Sequence, residues 1–139
     1  MMKTLMRPFL LVVLLATGFL SGCKKDSDVF PALVGSWKLT KLECYCARTP
    51  VPNQTVTFTA TDFKFYLDGQ LTGSGTYASA TITPCGTTAP TQVLRLKYND
   101  GKPPQDFLST VENQFLWLDS GLDNKCIADA GVVYTYERL

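Results

Sequence analysis

The chain has no histidine anywhere in its 139 residues. That removes the side chain that most often moves protons near neutral pH and the commonest ligand of metals, so a serine or cysteine triad of the usual kind cannot be assembled. Charge is scarce too, with 13 Lys and Arg against 12 Asp and Glu. No basic excess exists to neutralise phosphates, which argues against a nucleic-acid partner. A Gly-rich phosphate loop and a cluster of metal ligands are both missing. Paired carboxylates remain as acid–base groups, but Asp62, Asp68, Asp100, Asp119 and Asp123 fall at expected strand ends and turns, where acids make local hydrogen bonds. The expectation is a protein that is not an enzyme and takes no metal or cofactor. No apolar run reaches the roughly 20 residues that a bilayer-spanning helix needs.

What is present begins at the N-terminus. Residues 1–7 carry Lys3 and Arg7 and no acid, and residues 8–20 read PFLLVVLLATGFL, an uncharged apolar run. A basic start and a short apolar core have the form of an export signal. Leu20-Ser21-Gly22-Cys23 then resembles the lipobox of bacterial lipoproteins. Small side chains before the cut let an extended chain lie close in a peptidase groove, and the thiol is the nucleophile that accepts a diacylglyceryl group. The resemblance implies that residues 1–22 are a signal peptide and that Cys23 is the lipid attachment site, with the membrane as partner. Stable anchoring needs more than one acyl chain, each contributing about 0.8 kcal/mol per buried methylene, and a diacylglyceryl group meets that condition. The residue after Cys23 is Lys24 and not aspartate, which resembles sorting to the outer membrane. Lys24-Lys25-Asp26-Ser27-Asp28 is also similar to the surface-export signals of some Gram-negative lipoproteins; a plain solvated tether is the other reading. The expected location is the outer membrane, on its periplasmic side or at the cell surface.

Without Lys3 and Arg7, 11 basic residues face 12 acidic ones. Residues 23–32 read as the lipidated cysteine and tether, and residues 33–139 as one domain. Cys44, Cys46, Cys85 and Cys126 remain for an oxidising compartment, where disulfides are the default. A zinc site is the alternative, but Cys44-Tyr45-Cys46 has one intervening residue where structural zinc pairs have two to four. In a strand Cys44 and Cys46 face the same way, so each is expected to reach a separate partner, Cys85 or Cys126.

Strand signals fill the rest. Trp37 and Leu39 alternate with Lys38 and Thr40 within residues 35–46, Val56 and Phe58 with threonines in residues 55–60, and Phe63 and Phe65 with Asp62 and Lys64. Asp68-Gly69 is a hairpin turn. Residues 70–83 form one bent strand, or two if the chain divides at Ala78-Ser79-Ala80. Residues 92–98, 107–112, 115–119 and 132–138 follow, separated by Asn99-Asp100-Gly101, Asn113-Gln114 and a loop over 120–130. Short alternating strands with regular turns predict an all-β, antiparallel up-and-down β-barrel of eight to ten strands. Eight strands put Cys126 at the end where Cys44 and Cys46 emerge and Cys85 at the other end; nine reverse the two.

Leu33-Val34-Gly35-Ser36-Trp37 resembles the Gly-x-Trp opening of the lipocalin superfamily, and the Phe-rich hairpin, Gly75-Thr76-Tyr77 and Tyr134–Leu139 are similar to small lipocalin-like domains of bacterial lipoproteins. The resemblance implies a short apolar turn over residues 29–34, a tryptophan packed across the closed end, and a basic side chain, here Arg138, lying over it. It also implies binding of a small apolar ligand inside the barrel, lined by Trp37, Phe58, Phe63, Phe65, Tyr98, Trp117, Tyr134 and Tyr136. The alternative is that these aromatics are a filled core and the protein is a protein-interaction or enzyme-inhibitor module acting through the loops at 47–54, 85–91 and 120–130.

Overall fold

Eight strands form, most of them alternating apolar residues inward with polar residues outward. They are β1 (Gly35–Glu43), β2 (Gln54–Phe58), β3 (Asp62–Leu67), β4 (Gln70–Ile82), β5 (Thr91–Tyr98), β6 (Gln105–Glu112), β7 (Phe115–Asp119) and β8 (Val133–Arg138). Each pairs antiparallel with the next and β8 pairs with β1, closing an up-and-down barrel. The structure, a computed structural model, describes residues 30–44, 47–48, 50–121 and 131–139. The export signal, Cys23, Cys46, Asp123 and Cys126 lie outside the described residues.

Turn chemistry sets several of the bounds. Asp68 and Gly69 have φ of 51° and 78°, the pair of positive values that a tight hairpin with native twist requires. Strand β4 is one strand: Ala78, Ser79 and Ala80 pair with Arg95, Leu94 and Val93, so the small residues do not break it. Lys102-Pro103-Pro104 holds β6 off until Gln105, since proline has no N–H for the ladder.

Tracing paired neighbours sideways from Gly35 leads through Phe58, Phe63 and Gly75 to Tyr98. That row starts where β1 begins and finishes where β5 ends, at the opposite end of the barrel, so the strands tilt steeply against the axis.

The end holding Gly35 is closed. Leu33, Trp37 and Phe58 are buried there, and Tyr77 packs edge-on against Phe58 at 5.3 Å and, tilted, against Phe30 at 6.3 Å. The Tyr77 hydroxyl donates to the Thr59 carbonyl. Residues 30–33 make the apolar turn, with the Leu33 N–H bonded to the Phe30 carbonyl at 2.8 Å. Trp37 Nε1 donates to the Leu33 carbonyl at 2.8 Å. The Arg138 guanidinium lies 4.1 Å from the Trp37 ring centroid and donates to the carbonyls of Val34 at 3.0 Å and Ala32 at 2.8 Å. Gly35 makes room for it: its φ is 141°, and a Cβ would stand 2.6 Å from Arg138 Nη1. The Gly-x-Trp spacing therefore has a local cause, a bare backbone for the guanidinium beside an indole for it to cover. Arg138→Met should cost about 1–3 kcal/mol through the lost charged hydrogen bonds and ring contact, measured by urea unfolding; an unchanged midpoint would contradict this role.

Candidate functional site

From Trp37 the interior fills layer by layer. Val56, Phe58, Phe63, Leu94, Leu96, Leu116, Leu118 and Tyr136 are all almost fully buried and belong to one cluster. Phe63 meets Phe65 edge-on at 5.5 Å and Tyr98 at 5.1 Å. Above this packing, at the open end, a pocket of about 200 Å³ remains. Gln54, Phe65, Thr72, Gly73, Tyr98, Gln105, Phe107, Leu118, Tyr134 and Tyr136 line it. Small-molecule sites usually enclose about 300–1,000 Å³, so this is a shallow mouth above a packed core.

Of the eight aromatics expected to line a ligand site, Phe65, Tyr98, Tyr134 and Tyr136 line the mouth pocket. Trp37, Phe58 and Phe63 lie beneath it as core. Trp117 lies elsewhere. Strand β7 turns Leu116 and Leu118 inward, so Trp117 stands on the outer face beside Phe115, ring centroids 5.8 Å apart. Sequence reasoning missed Gln54, Thr72, Gly73, Gln105, Phe107 and Leu118. For Gln54 and Gln105 the signal was present, since they share the inward face with Val56 and Phe107 respectively by strand alternation.

Each mouth group has a local reason for its place. Gly73 allows the Tyr98 ring to lie across β4: a Cβ there would stand 3.2 Å from that ring. The Tyr98 hydroxyl donates to Gln105 Oε1 at 2.7 Å. Tyr134 stacks on Tyr136 at 6.5 Å and meets Phe107 edge-on at 6.3 Å. Burial raises the pKa of the Tyr98, Tyr134 and Tyr136 phenols, and for Tyr98 and Tyr136 the neighbouring phenols add to the rise. All three are neutral hydrogen-bonding groups at physiological pH.

The loops divide between the two ends. The β1–β2 connection and the β3–β4 hairpin meet at the mouth, where the Asp68 N–H bonds the Asn53 carbonyl at 3.0 Å. They carry exposed Val51, Leu67 and Leu71. The β7–β8 connection also leaves from the mouth, its base clamped by Ser120 and Val132. The 85–91 loop lies at the closed end. Cys85 is therefore at the opposite end from Cys44, which follows β1. Neither Cys44 nor Cys85 is free.

No family model matches the chain, and no curated protein or solved structure matches it significantly.

Proposed function

We propose that the protein is a lipid-anchored, non-enzymatic binding protein of the bacterial outer membrane, on its periplasmic side or at the cell surface, whose packed lipocalin-like barrel presents its mouth to a protein partner. One observation carries this reading over a carrier of small hydrophobic ligands. Among the described residues, core side chains pack from Trp37 to Tyr136, and the pocket above them at the mouth holds about 200 Å³. The apolar rim of Val51, Leu67 and Leu71 beside that pocket suits an interface, in which a few buried anchors carry most of the binding energy.

The anchor supports the same orientation. With residues 1–22 removed and Cys23 acylated, six residues separate the lipid from Phe30 at the closed end, a span of at most about 25 Å. The membrane would then lie beyond the closed end, and the mouth would face away from it.

A disulfide from Cys126 to Cys44 or Cys46 fits this arrangement, because Glu43 pairs with Val133 at the mouth and both loops start there. Closing such a loop typically stabilises by about 2–4 kcal/mol and would stiffen the rim. Peptide mapping of unreduced protein should find the Cys126 peptide linked to the 44–46 peptide; an alkylated Cys126 would contradict it.

The soluble domain, made without residues 1–23, tests the choice between carrier and interaction module. A fluorescent long-chain fatty acid should show no saturable one-to-one uptake. Stoichiometric uptake abolished by filling the mouth, as with Gly73→Leu, would restore the carrier reading.

A further inference from the structure

The mouth pocket has an unusual polar balance. None of its lining side chains carries a charge. Tyr136 is 1% exposed yet lines the pocket, and no group among the described residues accepts a bond from its hydroxyl or from that of Tyr134. A phenol held in a packed wall with its hydroxyl opening on a cavity is a donor awaiting an acceptor. The Tyr98 hydroxyl is already spent on Gln105 Oε1, which leaves the Gln105 amide N–H groups as further donors at the rim. The Thr72 hydroxyl is committed to the Phe65 carbonyl at 3.3 Å. Phe65, Phe107 and Leu118 supply the apolar walls.

We infer that this pocket receives an uncharged, planar amide group, its carbonyl oxygen accepting from the Tyr134 and Tyr136 hydroxyls and its faces packed by Phe65 and Phe107. A carboxylate of the same shape would lose its water without meeting a cation. A purely apolar group would leave the two phenols unpaired, the more costly outcome for a buried donor. An ammonium would find aromatic rings but no acid. The amide can come from a partner's glutamine or asparagine side chain or from a free aromatic amide; the chemistry recognised is the same. The inference rests on the mouth being the binding end, and it names what the mouth takes.

Titration of the isotopically labelled soluble domain, followed by NMR, tests it with benzamide, toluene, benzoate and phenyltrimethylammonium. Benzamide should shift the resonances of pocket residues and bind about tenfold more tightly than the other three, a factor within the range expected for two neutral hydrogen bonds to otherwise unpaired groups. Tyr136→Phe, which keeps the ring and the packing, should cut that advantage over toluene to about threefold, the share left to the Tyr134 hydroxyl, with the melting temperature nearly unchanged. If that variant is unstable, Tyr134→Phe makes the same comparison. Glutamine blocked as its N-acetyl methylamide, run in parallel, separates the sources: tighter binding than benzamide points to a partner's side chain, weaker binding to a free aromatic amide. No shifts at the pocket, equal affinity for toluene, or preference for benzoate or the quaternary ammonium overturns the inference. The mouth-binding reading stands or falls separately, on partner contacts at the rim in the anchored protein.

Discussion

Replacing Trp37 by alanine should destabilise the domain by about 3–5 kcal/mol, as large-to-small changes at fully buried aromatics do. The indole is fully buried, its N–H is bonded to the Leu33 carbonyl at 2.8 Å, and the Arg138 guanidinium lies 4.1 Å from its ring centroid. Truncation removes the ring, orphans that carbonyl and takes away the surface on which the guanidinium rests. A domain of this size has about 5–15 kcal/mol in total, so the variant should sit near the edge of folding. Trp37→Phe keeps most of the packing and should fall well short of that loss. Urea unfolding monitored by circular dichroism measures both. A loss below about 1 kcal/mol for Trp37→Ala would mean that the closed end does not depend on this side chain.

The second large effect is all-or-none. Cys23→Ala should abolish fatty-acid labelling and leave the precursor uncleaved by the lipoprotein peptidase, because no other atom at the cut site can accept the diacylglyceryl group. The mutant should still fold its barrel, since Cys23 lies outside residues 33–139. Metabolic labelling with a radioactive fatty acid reads the result. A mutant that still took up label would remove the anchor and the membrane-distal orientation with it.

The fold was legible where alternation and turn chemistry agree. Strands β3 and β7 begin and end where their sequence predicts, because Asp68-Gly69 and Asn113-Gln114 supply the turns and Asp68 and Asn113 adopt positive φ. Strand number stayed open at Ala78–Ala80, since local sequence cannot say whether a partner strand will satisfy a run of small residues. Here residues 93–95 of β5 do so. Depth inside the barrel was harder to read. Phe63 and Phe65 share an inward face by alternation, yet only Phe65 reaches the pocket, because depth follows from strand tilt summed around the barrel. Trp117 was misplaced because β7 is apolar on both faces, Phe115 and Trp117 on one and Leu116 and Leu118 on the other, so alternation alone could not choose. Pairing of Leu118 with Ser109 and of Leu116 with Val111 sets the Leu pair inward. The polar mouth groups escaped notice because a search for an apolar ligand looks for aromatics and passes over Gln54 and Gln105.

The most direct measurement places a photoreactive amino acid at Leu71 on the mouth rim and, in a second variant, at Lys64 on the outer wall of β3, in the acylated protein within its own envelope. The account predicts a discrete protein adduct from position 71, lost when a bulky residue such as Leu replaces Gly73, and none from position 64. Adducts from position 64 alone, or a position-71 adduct indifferent to closure of the pocket, would contradict binding at the mouth.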